Sequence, residues 1–272
     1  MSTPNLPEPS VSSPAAEEPI GRMSFFEHLS ELRTRLIHAC AAIALGAFIG
    51  VSIAKHVIGF VMRPMVAALQ AAHLQDHLIN TNPTGVVSLV INLGLYLGIV
   101  IASPYVLYQV WLFVAPGLYK HEQKAVAGFI VPSVLLFLGG IAFSYYVILP
   151  YLLRFLVSFQ SGLPLTPLIS INEYFDLVLV VLLGVGVIFE LPMVILILSL
   201  FGIVTPAFLW KNFRYAILII TIVAAIITPT PDATTMLVFM APMILLYLIG
   251  IAVSWAVLRR KRSNELARQG AH

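Results

Sequence analysis

Charge is what this sequence has least of. Only 10% of its 272 residues are charged and 60% are apolar, against about 25% charged in an ordinary soluble domain. Between Arg35 and Lys55, Asp76 and Lys120, Lys124 and Arg154, Asp176 and Trp210, Arg214 and Asp232, and Asp232 and Arg259, a single formal charge occurs, Glu190. A soluble fold could bury one or two such runs but has too little polar sequence to cover six. A bilayer core takes about 20 apolar residues per helix. The pattern therefore predicts an all-α, polytopic integral membrane protein with six transmembrane helices.

Cysteine is almost as scarce. Cys40 is the only one, which excludes an intrachain disulfide and any multi-cysteine metal or cluster site. His38 and His56 have no second ligand at metal-binding spacing, so no metal is expected. No G-x-x-x-x-G-K-[ST] stretch is present to cradle a nucleotide, and no G-x-S-x-G elbow to present a nucleophilic serine. The reading is a protein with no cofactor and no enzymatic chemistry. No internal repeat is visible either, so an inverted-repeat transporter gains no support.

The charges that remain are segregated. Arg22, Arg33, Arg35, Lys120, Lys124, Lys211, Arg214 and the cluster Arg259, Arg260, Lys261, Arg262 and Arg268 fall on one side of the six runs. Lys55, Arg63 and Arg154 fall on the other. Because Lys and Arg mark the cytoplasmic side, both termini are expected there.

Residues 1–20, with five prolines and three glutamates, cannot offset the entropy of ordering and read as a disordered tail. Residues 21–258 form the membrane domain, and 259–272 a basic cytoplasmic tail. Ser24 and Glu27 fit a capping box that opens the first helix, which is expected to run inward through Ala54. A long connection over 55–85 follows, with turn material at Arg63-Pro64-Met65. Val86–Ala115 would span about 45 Å, so it must tilt, kink at Pro104 or project beyond the bilayer. Span three runs from just after Lys124 to about Leu149. Ser170 and Glu173 make a second capping box, opening span four, which continues to about Phe201. Thr205-Pro206 reads as N-cap and first residue of span five. Its apolar part, Tyr215 to Thr228, would rise only about 21 Å against a core of about 30 Å. Span six covers about Thr234 to Leu258.

Four acids carry possible chemistry. Glu31 can pair with Arg35 at i,i+4, worth a few tenths of a kcal/mol on an exposed helix, or face a cationic ligand. Glu122 can screen Lys120 or Lys124, an ordinary surface arrangement. Asp232 fits turn chemistry. Glu190 stands apart, because placing an ionised carboxylate mid-bilayer costs about 2.5–3.5 kcal/mol on insertion scales. It needs a partner, either the Ile188 carbonyl that Pro192 leaves without a donor, or a cavity or pathway that uses it. A proton-coupled secondary transporter working through Glu190 is the alternative from another class.

Taken together, the segments His28-Leu29-Ser30-Glu31-Leu32-Arg33-Thr34-Arg35-Leu36, Tyr108-Gln109-Val110-Trp111-Leu112-Phe113, Pro116-Gly117-Leu118-Tyr119-Lys120-His121-Glu122, Phe189-Glu190-Leu191-Pro192 and Thr230-Pro231-Asp232 resemble the TatC family. That family is the polytopic core of the Sec-independent, twin-arginine protein translocase. The resemblance implies six spans with both ends cytoplasmic, in the cytoplasmic membrane of a prokaryote. It also implies recognition of signal peptides with consecutive arginines, and passage of folded cargo with single-span TatA- and TatB-type subunits at the expense of the proton-motive force. Self-association and contact with membrane lipid follow, and nucleic acid is not a partner. The family's recognition acids fall on Glu31 and Glu122, its first-motif arginine on Arg33, and its membrane acid on Glu190. Pro64 and Phe113 stand at family positions of structural or partner-contact importance, as does Asp232. The chain departs from the family in its longer Thr228-Pro229-Thr230-Pro231-Asp232 turn and in Met236, where many relatives have glutamine.

Overall fold

A computed structural model describes residues 25–74, 78–80, 83–114, 123–161, 169–228 and 232–269. Its helices are α1 (Phe25–Ala71), α2 (Gly85–Val114), α3 (Gln123–Phe143), α4 (Leu149–Ser161), α5 (Ile171–Ile188), α6 (Leu191–Leu200), α7 (Pro206–Lys211), α8 (Phe213–Ile227) and α9 (Ala233–Gln269), with a π-turn at Ser144–Ile148 joining α3 to α4. α1, α2, the α3–α4 rod, the α5–α6 pair and α9 are each long and apolar enough to cross a membrane, and α8 is a shorter apolar helix. The six runs thus become six helical passages. No strand occurs among the described residues. One parallel bridge, Ile79 to Ser170, ties the α1–α2 connection to the start of α5.

The first passage differs from its expected length. The helix does not stop near Ala54 but continues through Pro64 to Ala71, so the following connection is short. Two neighbouring hydroxyls account for this. Proline has no N–H for the carbonyl four residues back, here that of Phe60, and the Tyr145 hydroxyl donates to that oxygen at 2.7 Å. The Tyr174 hydroxyl donates to the next carbonyl, Val61, also at 2.7 Å. The distal turns then bury Val61, Met65, Ala68 and Leu69 in the core. Since a polar group left alone in hydrocarbon is costly, Tyr174→Phe is expected to lower stability by about 1 kcal/mol. Reversible unfolding in detergent would measure this.

The same device recurs elsewhere. Inside α2, Pro104 frees the Val100 carbonyl, and the Ser103 hydroxyl donates to it at 2.7 Å, so α2 passes its proline unbroken. At the α7–α8 break, where Asn212 leaves helical geometry, the Tyr247 hydroxyl of α9 donates to the Leu209 carbonyl at 3.0 Å. Pro150 follows the π-turn, in which the Leu149 N–H reaches back five residues to the Ser144 carbonyl; such turns re-route bonds where a helix is locally interrupted. That rod runs on to Ser161, beyond the expected end at Leu149. Span four ends at Leu200, close to the expected Phe201, but it breaks at Phe189–Glu190. Pro192 cannot extend α5 and instead sits at the start of α6.

Helix starts follow the sequence closely. The Thr205 hydroxyl accepts from the Phe208 N–H at 3.1 Å, and Asp232 Oδ2 accepts from the Thr235 N–H at 2.7 Å. Ser170 is the N-cap of α5, but its side chain makes no capping bond. Ser24, and the 1–20 tail, lie outside the described residues. α9 is one helix through the membrane run and into the basic segment, ending at Gln269.

The closest helix pairing is α1 against α2, through two glycine pairs. Gly46 and Gly50 on α1 face Gly94 and Gly98 on α2, each pair in G-x-x-x-G spacing. A Cβ added at Gly94 would lie 2.6 Å from the Val51 Cα, and one at Gly98 only 2.5 Å from the Ala47 Cα. Small residues allow backbones to approach where lipid gives no hydrophobic drive to association. The main core then gathers Leu93, Leu149, Leu152, Phe175, Val178 and Phe239 between the rods.

Candidate functional site: an acid at the terminal face and an acid clamp within the helices

The first turns of α1 and the last turns of α2 meet at one end of the bundle. There the Arg35 guanidinium donates to Glu31 Oε1 at 3.3 Å and to Gln109 Oε1 at 3.3 Å. The Glu31–Arg35 side chains form an ion pair and are 18% and 31% exposed. The i,i+4 pairing predicted from spacing is therefore present. It does not use up the acid: Glu31 Oε2 is buried and without a hydrogen-bond partner, as is Arg35 Nε. Gln109, itself buried, fixes the arginine from α2. One turn earlier the His28 ring stacks on Phe113, with centroids 4.4 Å apart and planes 17° apart. A carboxylate oxygen held by a rigid neighbour, with spare acceptor capacity, suits a second guanidinium arriving from outside.

Other site residues scatter more widely. Arg33 is exposed on α1. Glu122 lies outside the described residues, so the structure describes Glu31 without its expected companion. Pro64 is buried in the far third of α1. Asp232 caps α9, and half-buried Met236 packs one turn further along against the main core.

Glu190 sits at the α5–α6 break and is 8% exposed. Its carboxyl does not turn to the Ile188 carbonyl. It accepts instead from the Ser133 hydroxyl of α3 through Oε2, and the Ser133 oxygen accepts from the Trp111 indole N–H of α2 at 3.0 Å. Oε1 has no hydrogen-bond partner. Three passages are thus joined by one chain of hydrogen bonds. Around it, Trp111, Met193, Leu196 and Ile197 form a second apolar cluster, which keeps water from the bonds and strengthens them. Ser133 and Gln109 were not singled out from sequence. A polar residue inside an uncharged run was the available signal, but serine and glutamine occur in such runs without marking where they point.

In comparison with known proteins, a family model described as Sec-independent protein translocase protein (TatC) matches residues 27–242. The Sec-independent protein translocase protein TatC of Koribacter versatilis (strain Ellin345) is 42% identical over 274 residues, which cover 99% of this chain and 100% of that protein. TatCy of Bacillus subtilis (strain 168) is 35% identical over 251 residues, covering 91% and 95%. A crystal structure of the twin arginine translocase receptor TatC superposes with a TM-score of 0.71 at 34% identity, over 85% of this chain and 99% of that one. A second, in DDM, gives 0.74 at 36% identity, over 84% and 99%.

Proposed function

This chain belongs to the TatC family of Sec-independent protein translocase proteins, and from that premise we propose that it takes up twin-arginine signal peptides at the face where α1 begins and α2 ends. It is a translocase component and not an enzyme. The observation that carries the proposal is Glu31, a partly buried carboxylate with one oxygen on Arg35 and the other without a partner. Glu122, on the α2–α3 connection, is the second acid, and each takes one arginine of the pair. Arg35 holds Glu31 in place through its guanidinium, and exposed Arg33 lies two residues along the same helix. Guanidinium forks match carboxylates in a bidentate way that the lysine ammonium cannot. The apolar part of the peptide adds the remaining affinity by lying against the membrane-embedded surface.

The twelve-to-three bias of basic residues puts this face, and both termini, in the cytoplasm. The membrane is the cytoplasmic membrane of a prokaryote. TatA- and TatB-type single-span subunits assemble with the chain to pass folded cargo, driven by the proton-motive force, and copies of the chain associate with one another. Pro64, Phe113, Asp232 and Met236 serve this assembly by setting helix positions. The relatives are protein translocase proteins and lend no support to the small-molecule transporter alternative.

Fluorescence anisotropy with a labelled twin-arginine peptide and the purified full chain tests the reading. Glu31→Gln and Glu122→Gln should each weaken binding by roughly ten-fold, the lower end of the range for a charge-assisted hydrogen bond. Leu135→Ile, on the lipid-facing side of α3, should leave it unchanged. A Lys-Lys peptide that bound as well as its Arg-Arg counterpart would overturn the fork mechanism.

A further inference from the structure

Three basic residues face the side opposite the Glu31 site, Lys55, Arg63 and Arg154, and two of them line one cavity. Arg63 and Arg154 border a space of about 330 Å³ together with Phe60, Pro64, Tyr145 and Tyr146. Both arginines are exposed, and among the described residues no carboxylate pairs with either. Phe60, Tyr145 and Tyr146 also wall a second cavity of about 290 Å³, whose other lining is apolar, including Leu93, Leu97 and Leu138. The two spaces are neighbours that share one aromatic wall, in which the Phe60 and Tyr145 rings stack 4.5 Å apart, and together they offer a slot charged at its head and apolar along its body. Phe60, Leu138 and Tyr146 are 42%, 38% and 68% exposed, so the slot opens sideways to the surrounding hydrocarbon.

Depth identifies the occupant. Arg35 and Arg63 are 28 residues apart on one helix, a rise of about 42 Å, which matches a bilayer of about 40–45 Å including its headgroup layers. With Arg35 in one headgroup layer, Arg63 lies in the other, and Arg154 shares its cavity. We propose that a phospholipid occupies this slot, its phosphate held by Arg63 and Arg154 and an acyl chain laid along the apolar cavity between α1, α2 and α3. Guanidinium groups bind phosphate oxygens in a forked geometry. Arginine is disfavoured on the non-cytoplasmic side, so convergence of two there is accounted for by a resident anion. The π-turn at Ser144–Ile148 presents Tyr145 and Tyr146 together at the junction of head and body. The Tyr145 hydroxyl is already committed to the Phe60 carbonyl, leaving the arginines as the phosphate donors.

Native mass spectrometry of the full chain in detergent, titrated with phosphatidylglycerol, tests the proposal, with unfolding temperature as a second readout. Arg63→Gln/Arg154→Gln should weaken retention roughly ten-fold, as expected for the loss of charge-assisted bonds. Ala142→Trp, which fills the slot from an exposed lining position while leaving both arginines, should weaken it equally. Arg214→Gln, at the other face, should not. Diacylglycerol with the same chains should be retained at least ten-fold more weakly than phosphatidylglycerol, and glycerol 3-phosphate not at all. Equal retention by the double arginine variant or of diacylglycerol would make the slot a simple apolar groove and overturn the proposal. Glycerol 3-phosphate bound as tightly as the lipid would overturn it too, in favour of a free-phosphate site.

Discussion

Gly98→Val should destabilise the protein by about 3 kcal/mol, the upper end of the usual cost of overpacking. A side chain there has no room to give. Its Cβ would lie 2.5 Å from the Ala47 Cα and 2.7 Å from the Gly46 carbonyl carbon. These are backbone atoms, which cannot swing aside like the end of a flexible side chain. Relief requires α1 and α2 to separate along the contact where Gly50 approaches Gly94 one turn away. The loss would then extend to packing around Leu93 and Ala54. Gly59 provides the contrast, since nothing lies within 4 Å of its added Cβ. Gly59→Ala on the same helix should be neutral or stabilising by up to about 1 kcal/mol. Unfolding of both variants in one detergent measures the pair. Equal behaviour would remove the helix apposition as the source of stability.

Removing the Glu190 carboxyl should have the next largest effect. Glu190→Leu leaves the Ser133 hydroxyl without its acceptor beside a buried apolar cluster, at a cost of about 1–3 kcal/mol. Glu190→Gln keeps an amide oxygen in place and should retain most of the stability, as well as signal-peptide binding. Ser133→Ala in the Glu190→Leu background removes the orphaned hydroxyl but leaves the Trp111 indole N–H without its acceptor, so one orphaned donor replaces another and the further cost should be small. A double-mutant cycle on thermal or denaturant unfolding reads this coupling directly. The same variants separate two roles for the acid. Transport that persists in Glu190→Gln and fails in Glu190→Leu points to the hydrogen bond joining α2, α3 and α6. Transport that fails in both points to a need for the charge or proton of the carboxyl. Intact transport in Glu190→Ala would leave the residue with neither role.

The sequence by itself determined the number of passages, the kind of secondary structure and most helix starts. Those properties follow from local quantities: apolar length against bilayer thickness, and cap residues such as Thr205 and Asp232 whose oxygens reach their own backbone. Also legible were the shortness of the fifth passage, the Glu31–Arg35 pairing and the oddity of Glu190. Only the tertiary structure decided that α1 passes through Pro64, because the donors that repair it come from Tyr145 and Tyr174, more than eighty residues away in sequence. Likewise only it decided that Glu190 meets Ser133 and Trp111, that two glycine pairs coincide, and that Arg63 and Arg154 share one cavity. The reason is physical. In a soluble helix, water on one side and core on the other write an apolar stripe into the sequence. In lipid both surroundings are apolar, so the stripe fades, and which face meets which neighbour is set by close packing and scattered hydrogen bonds.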